Sequence, residues 1–131
     1  MTNPSSNPAD TSGVLAAQIA QFALNKKAEQ VLSIDVQEIT SITDHFVICS
    51  ADTDVQVKAI ADGIRKNTMH KPTRIEGYQQ LNWVLLDYID VIAHIFRTKE
   101  RNYYNLEKLW ADAPTSEYTD DNYTKADSST V

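Results

Sequence analysis

Ser50 is followed by Asp52, Thr53 and Asp54, two carboxylates two positions apart at the end of an apolar run. Such a pair can share a divalent cation that bridges nucleotide phosphates if a neighbouring strand supplies a third carboxylate, and Asp87 or Asp90 is the candidate for it. The competing reading is structural, because Thr53 and Gln56 have capping-box spacing and acidic residues favour the positive end of a helix. The chain has three glycines, Gly13, Gly63 and Gly77, too scattered to form a loop that cradles phosphate. His94 sits in an apolar run without a Ser or Cys in triad-like context, so it is expected to be a structural histidine. His45, His70, His94 and Cys49 show no metal-ligand spacing. The expectation is a protein with no catalytic residue, no metal and no cofactor.

Binding chemistry is better represented. Trp83 to Asp87 and Val91 to Phe96 are β-branched and aromatic runs of strand length separated by Tyr88, Ile89 and Asp90, which predicts an antiparallel hairpin. Tyr88 and Ile89 in so short a turn are expected to be exposed, and exposed aromatic and aliphatic residues are typical interface anchors. Trp83, Leu86, Asp87, Tyr88, Ile89 and Asp90 are therefore the candidate partner-binding residues, with Leu86 behind the others. Asp87 and Asp90 would offer carboxylates to a cationic partner.

The elements that position these residues follow from periodicity. Leu15, Ile19, Phe22 and Ala23 lie on one helical face, Leu32, Ile34 and Val36 alternate as in a half-buried strand, and Phe46 to Cys49 read as a central strand. A second helix starts at the cap and runs to about residue 70, since Val57, Ile60, Ala61 and Ile64 form its stripe. Arg74 to Tyr78 supplies a third strand ahead of the hairpin, and Tyr103, Leu106 and Trp110 predict a closing helix. Leu106, Leu109 and Trp110 are expected to dock that helix on the domain or on a second copy. The order is α-β-β-α-β-β-β-α, a single α/β layered domain on a mixed sheet flanked by helices.

Composition bounds the function. One domain suits 131 residues. Residues 26–110 hold 12 acidic and 11 basic side chains, whereas 111–131 hold five acidic and one basic, so the net charge of −6 belongs mainly to the tail. A near-neutral domain has no general attraction to phosphate backbones, and little direct nucleic-acid binding is expected. The polar segments 1–13 and 111–131 are expected to be disordered, Tyr118 included, leaving a domain over 14–110. The single Cys49 suits a reducing compartment, no run approaches a membrane span, and the leader is neither cationic nor apolar, so the expected location is cytoplasmic.

The run WVLLDYIDVIAHIFRTKERNYYNLEKLW at 83–110, with SITDHFVICS at 41–50 and KAIADGI at 58–64, resembles the Iojap-related ribosomal silencing factors over most of the chain. Asp44, Trp83, Asp87, Asp90, His94, Arg101, Tyr104, Glu107 and Trp110 fall on that family's recurring pattern. Two departures are Ala51 and Ile89, each standing where a glycine is expected; a β-branched residue disfavours positive φ, so the hairpin turn is the place to look. The resemblance implies a fold related in outline to nucleotidyltransferases, and hence the metal-dependent nucleotidyltransferase-like alternative built on Asp52, Asp54 and Asp87. Its main implication is a non-enzymatic repressor of translation under nutrient limitation. That repressor would bind ribosomal protein L-fourteen on the large subunit and sterically block the small subunit; a role in large-subunit biogenesis through the same contact is the other alternative. The resemblance also implies a homodimer when free, and it gives Asp44, His94, Arg101, Tyr104, Glu107 and Trp110 structural or secondary-interface roles.

Overall fold

The computed structural model describes residues 8–119, with side chains from Thr11 onward. The elements are α1 (Pro8–Asn25), β1 (Glu29–Asp35), β2 (His45–Ala51), α2 (Asp54–Asn67), β3 (Arg74–Glu76), β4 (Trp83–Asp87), β5 (Val91–Arg97), α3 (Thr98–Tyr104), α4 (Leu106–Leu109) and β6 (Thr115–Tyr118). The six strands form one mixed sheet in the order β3-β4-β5-β2-β1-β6. Only β2 and β5 are parallel, His45 standing opposite Val91 and Ala51 opposite Arg97, and every other neighbouring pair is antiparallel.

This pair is buried along nearly its whole length because the sheet is covered on both faces. Strand alternation then divides the side chains. Val47, Cys49 and Ala51 with Val91, Ala93 and Ile95 face α1 and α2, whose Ile19, Ala23, Ile60 and Ile64 close the larger core. Phe46, Ile48, Ile92 and Phe96 face the opposite side, where Ile34, Val36 and Ala113 form a smaller core lined by half-buried Trp83, Leu85, Leu106 and Trp110. Burial inside the larger core pushes the Cys49 thiol up to about 12 despite the nearby Arg101 charge, so it is a packing group rather than a nucleophile.

Thr53 caps α2, its hydroxyl accepting from Gln56 N–H at 3.1 Å, and Asp54 lies in the first turn. The reciprocal half of the capping box is absent, because the Gln56 amide donates instead to the carbonyl of Lys26. The helix stops at Asn67, short of residue 70, where Thr68 turns to extended backbone. Gly77 is required where it stands: its φ is +76° and an added Cβ would lie 2.0 Å from the carbonyl oxygen of Trp83.

Three expectations need correction. Helix α1 already starts at Pro8, within the segment expected to be disordered, since proline is tolerated in a first turn. The tail expected to be disordered supplies β6, which pairs with β1 from Thr115 opposite Ile34 to Tyr118 opposite Val31, and the Tyr118 and Ser33 hydroxyls are 3.2 Å apart. Residues 1–7 and 120–131, the rest of those two segments, lie outside the described residues. The closing helix is two short ones broken at Asn105, whose φ of 46° is left-handed; Leu106 and Trp110 pack on the smaller core, but Leu109 is exposed rather than docked, as is Tyr103.

Candidate partner-binding surface

Strand β4 sorts the candidate residues onto two faces. Val84 and Leu86 enter the larger core, and Tyr88 continues their parity just past the strand end. Tyr88 is only 3 % exposed; its hydroxyl lies 3.0 Å from Thr68 Oγ1 and its ring meets His70 edge to face. The expectation that Tyr88 is an exposed anchor is therefore corrected: together with Leu86 it fixes the turn from beneath. Burial raises its phenol pKa, with the Thr68 hydrogen bond opposing the shift.

Trp83, Leu85 and Asp87 occupy the other parity, on the face of the smaller core. Trp83 is half-buried, stacks on Phe96 at 4.7 Å between ring centres, and touches Tyr104 at 4.9 Å. Its indole Nε1 donates to His94 Nδ1 at 3.0 Å. This bond makes Nδ1 the acceptor, so the neutral ring carries its proton on Nε2. Burial lowers the His94 pKa to about 4, and the ring stays neutral near pH 7.

The turn itself presents Ile89 and Asp90 to solvent. Asp87 shapes it: Oδ1 accepts the Ile89 N–H at 2.8 Å, and Oδ2 lies 3.7 Å from Arg74. Ile89 has φ of 75°, and Asp90 N–H donates to the Tyr88 carbonyl at 2.9 Å across it. A positive φ bridged by this i to i+2 bond is the strained form of γ-turn, adopted here by a β-branched residue. The loop between β1 and β2 is bonded to this turn. Thr43 Oγ1 donates to the Ile89 carbonyl at 2.9 Å, and the N–H groups of Asp44 and His45 donate to the Asp90 carbonyl at 3.0 and 3.1 Å. Turn and loop thus form one surface carrying exposed Ile42 as well as Ile89. Sequence reasoning missed Ile42; its signal was an isoleucine set among Thr, Ser and Asp in a loop, with no periodic partner.

Arg101 is a structural residue. It is 3 % exposed; Nε donates to Glu107 at 2.9 Å, while Nη1 reaches the carbonyls of Gln30 at 2.7 Å and Glu29 at 3.3 Å and Ser50 Oγ at 3.1 Å. Those carbonyls are freed by a bulge in β1 at Gln30, whose φ is 49°. A groove of about 670 Å³ runs past this pair, beside Leu24, Gln30 and Tyr118, at the end of the sheet away from the turn.

The carboxylates of the nucleotidyltransferase alternative are not brought together. Asp52 follows Ala51 at one end of the parallel pair and accepts from Thr98 Oγ1 at 2.7 Å, whereas Asp87 stands opposite Ile92 at the other end. About six strand positions, roughly 20 Å, separate them. Asp90 lies beyond Asp87 and is no better placed. Among the described residues no three His, Cys, Asp or Glu side chains are grouped to hold a metal ion.

A sequence profile of the family described as "Ribosomal silencing factor during starvation" matches residues 9–130. The chain is 46 % identical over 107 residues to a protein of Halalkalibacterium halodurans named ribosomal silencing factor RsfS, covering 76 % of this chain and 92 % of that one. It is 42 % identical over 96 residues to the Bacillus subtilis protein of the same name, covering 71 % and 81 %. A crystal structure of a Bacillus halodurans protein superposes with a TM-score of 0.66 at 42 % identity, over 78 % of this chain and 96 % of that one.

Proposed function

The chain belongs to the ribosomal silencing factor family, and on that premise we propose that it represses translation by binding ribosomal protein L-fourteen on the large ribosomal subunit and blocking the small subunit sterically. No bond is made or broken in this mechanism. The protein is a wedge: it acts in the cytoplasm when nutrients are scarce, by occupying a surface that the small subunit needs. The observation that carries the reading is the turn after β4, where Ile89 is 61 % exposed beside the exposed Asp90. An apolar residue flanked by Asp87 and Asp90 suits a cationic ribosomal protein, the apolar centre supplying affinity and the charges supplying orientation and speed.

Within this reading Ile89 and Asp90 touch the partner, Asp87 borders the contact, and Leu86 and Tyr88 support it from the core, whereas Trp83, opposite Phe96 at the far end of β4 and against Tyr104, stands on the α3 side. Free protein pairs with a second copy through the α3–α4 side, where Tyr103 is 80 % and Leu109 72 % exposed. That side follows the end of β5 opposite the turn, so pairing and ribosome binding need not compete.

The test is sedimentation of purified protein with isolated large subunits, alongside an Asp90→Ala variant of unchanged circular dichroism. The wild type is expected to co-sediment, and the variant to bind more weakly with a shallower dependence on salt. Wild-type protein remaining in the supernatant at low salt would contradict the reading.

A further inference from the structure

The strained turn and the loop bonded to it carry an inference that rests on the ribosome-binding reading and sharpens it. Ile89 occupies a left-handed φ of 75°, a region that disfavours L side chains and β-branched ones most. Its side chain returns little to the fold, since the residue is 61 % exposed and belongs to neither core. Glycine at this position would relieve the strain. A residue that costs stability and fills no core has its compensation outside the molecule. Ile42, 70 % exposed, sits next to Thr43, the residue whose hydroxyl holds the Ile89 carbonyl.

The two segments that carry these isoleucines hold charge of one sign. Residues 37–44 and 87–90 contain Glu38, Asp44, Asp87 and Asp90 and no Lys or Arg. Of these four only Asp87 is approached by a cation, Arg74 at 3.7 Å, which is also 3.4 Å from Glu76, and the other three carboxylates have no ion-pair partner among the described residues. Such a rim repels a second copy of itself and any phosphate backbone, and it attracts a cationic surface.

We propose that Ile42 and Ile89 are paired aliphatic anchors, presented by one hydrogen-bonded loop-and-turn platform, for a basic protein surface that offers an apolar depression between its Lys and Arg side chains. The backbone strain at Ile89 is part of the device. Thr43 and the Asp90 carbonyl hold the turn rigid, so both anchors reach the partner without ordering a loop on binding.

The experiment compares wild type, Ile89→Gly, Ile42→Ser and a Glu38→Gln/Asp90→Asn double variant by thermal unfolding, by sedimentation of the free protein, and by binding kinetics on isolated large subunits. Ile89→Gly is expected to raise Tm yet weaken binding at least about tenfold through faster dissociation. Ile42→Ser is expected to leave Tm near the wild-type value and weaken binding to a similar degree, whereas the charge variant slows association. A lower Tm for Ile89→Gly would overturn the strain argument, and unchanged binding by both isoleucine variants would overturn the anchors while wild-type binding kept the ribosome reading intact. A change in the free protein's oligomeric state on Ile42→Ser would assign the surface to a second copy and overturn the proposal. Failure of the wild type to bind large subunits would remove the reading on which it rests.

Discussion

At the scale of single residues, His94 is the group whose protonation the fold controls most directly. The Trp83 N–H occupies Nδ1 as a donor, so a proton arriving there must break that bond in a buried site. With a folded pKa of about 4 against an ordinary value near 6.5, the unfolded chain binds more protons than the folded one between those limits. Stability therefore rises with pH across this window and is lost as pH falls from about 6.5 to about 4, by as much as ~3 kcal/mol. Urea unfolding at pH 7 and pH 4.5 should show this loss in the wild type and a smaller one in His94→Gln, which retains an acceptor for Trp83; equal losses would place the acid sensitivity elsewhere. The same region shows how far the sequence can be read. Val84, Leu86 and Tyr88 share a parity, but a residue in a short turn is free to leave a strand's alternation, and Thr68 and His70, which receive Tyr88, are remote in sequence. Ile89 was visible as an unusual turn residue because β-branching and positive φ conflict on local grounds alone.

Among the elements, the junction of α3 with the β1 bulge is held by one guanidinium. The bulge at Gln30 exposes backbone carbonyls inside the protein, and Arg101 satisfies two of them while pairing with Glu107 near the start of α4. Arg101→Met leaves Glu107 and both carbonyls without that partner and is expected to cost on the order of 3 kcal/mol. Arg101→Lys should recover only part of this, because an ammonium cannot reproduce the fork. Chemical denaturation of both variants checks the order; a lysine variant as stable as the wild type would show that charge alone suffices. Periodicity made α1, α2 and the β4–β5 hairpin legible, because each buries a stripe or an alternating row of apolar side chains. It could not reveal β6: that strand's Thr115, Ser116 and Glu117 are exposed, and it joins the sheet through backbone pairing with β1 that composition does not encode. The break at Asn105 was equally hidden, as one left-handed residue redirects a helical face without altering its apolar spacing.

For the whole molecule, a sheet covered on both faces makes a rigid base from which one end projects the turn and its bonded loop, while the α3–α4 side carries a separate exposed apolar edge. No described helix is long and apolar enough to cross a membrane. A steric regulator needs little more than a firm body with a few anchors on one end, and rigidity ensures that occupying one surface excludes a neighbour. The most direct test mixes purified large and small subunits with increasing amounts of the protein and resolves the particles on a sucrose gradient. The free-subunit peaks should grow at the expense of the joined ribosome, with the protein travelling only with the large subunit. An undiminished joined peak with the protein bound to it would contradict the account.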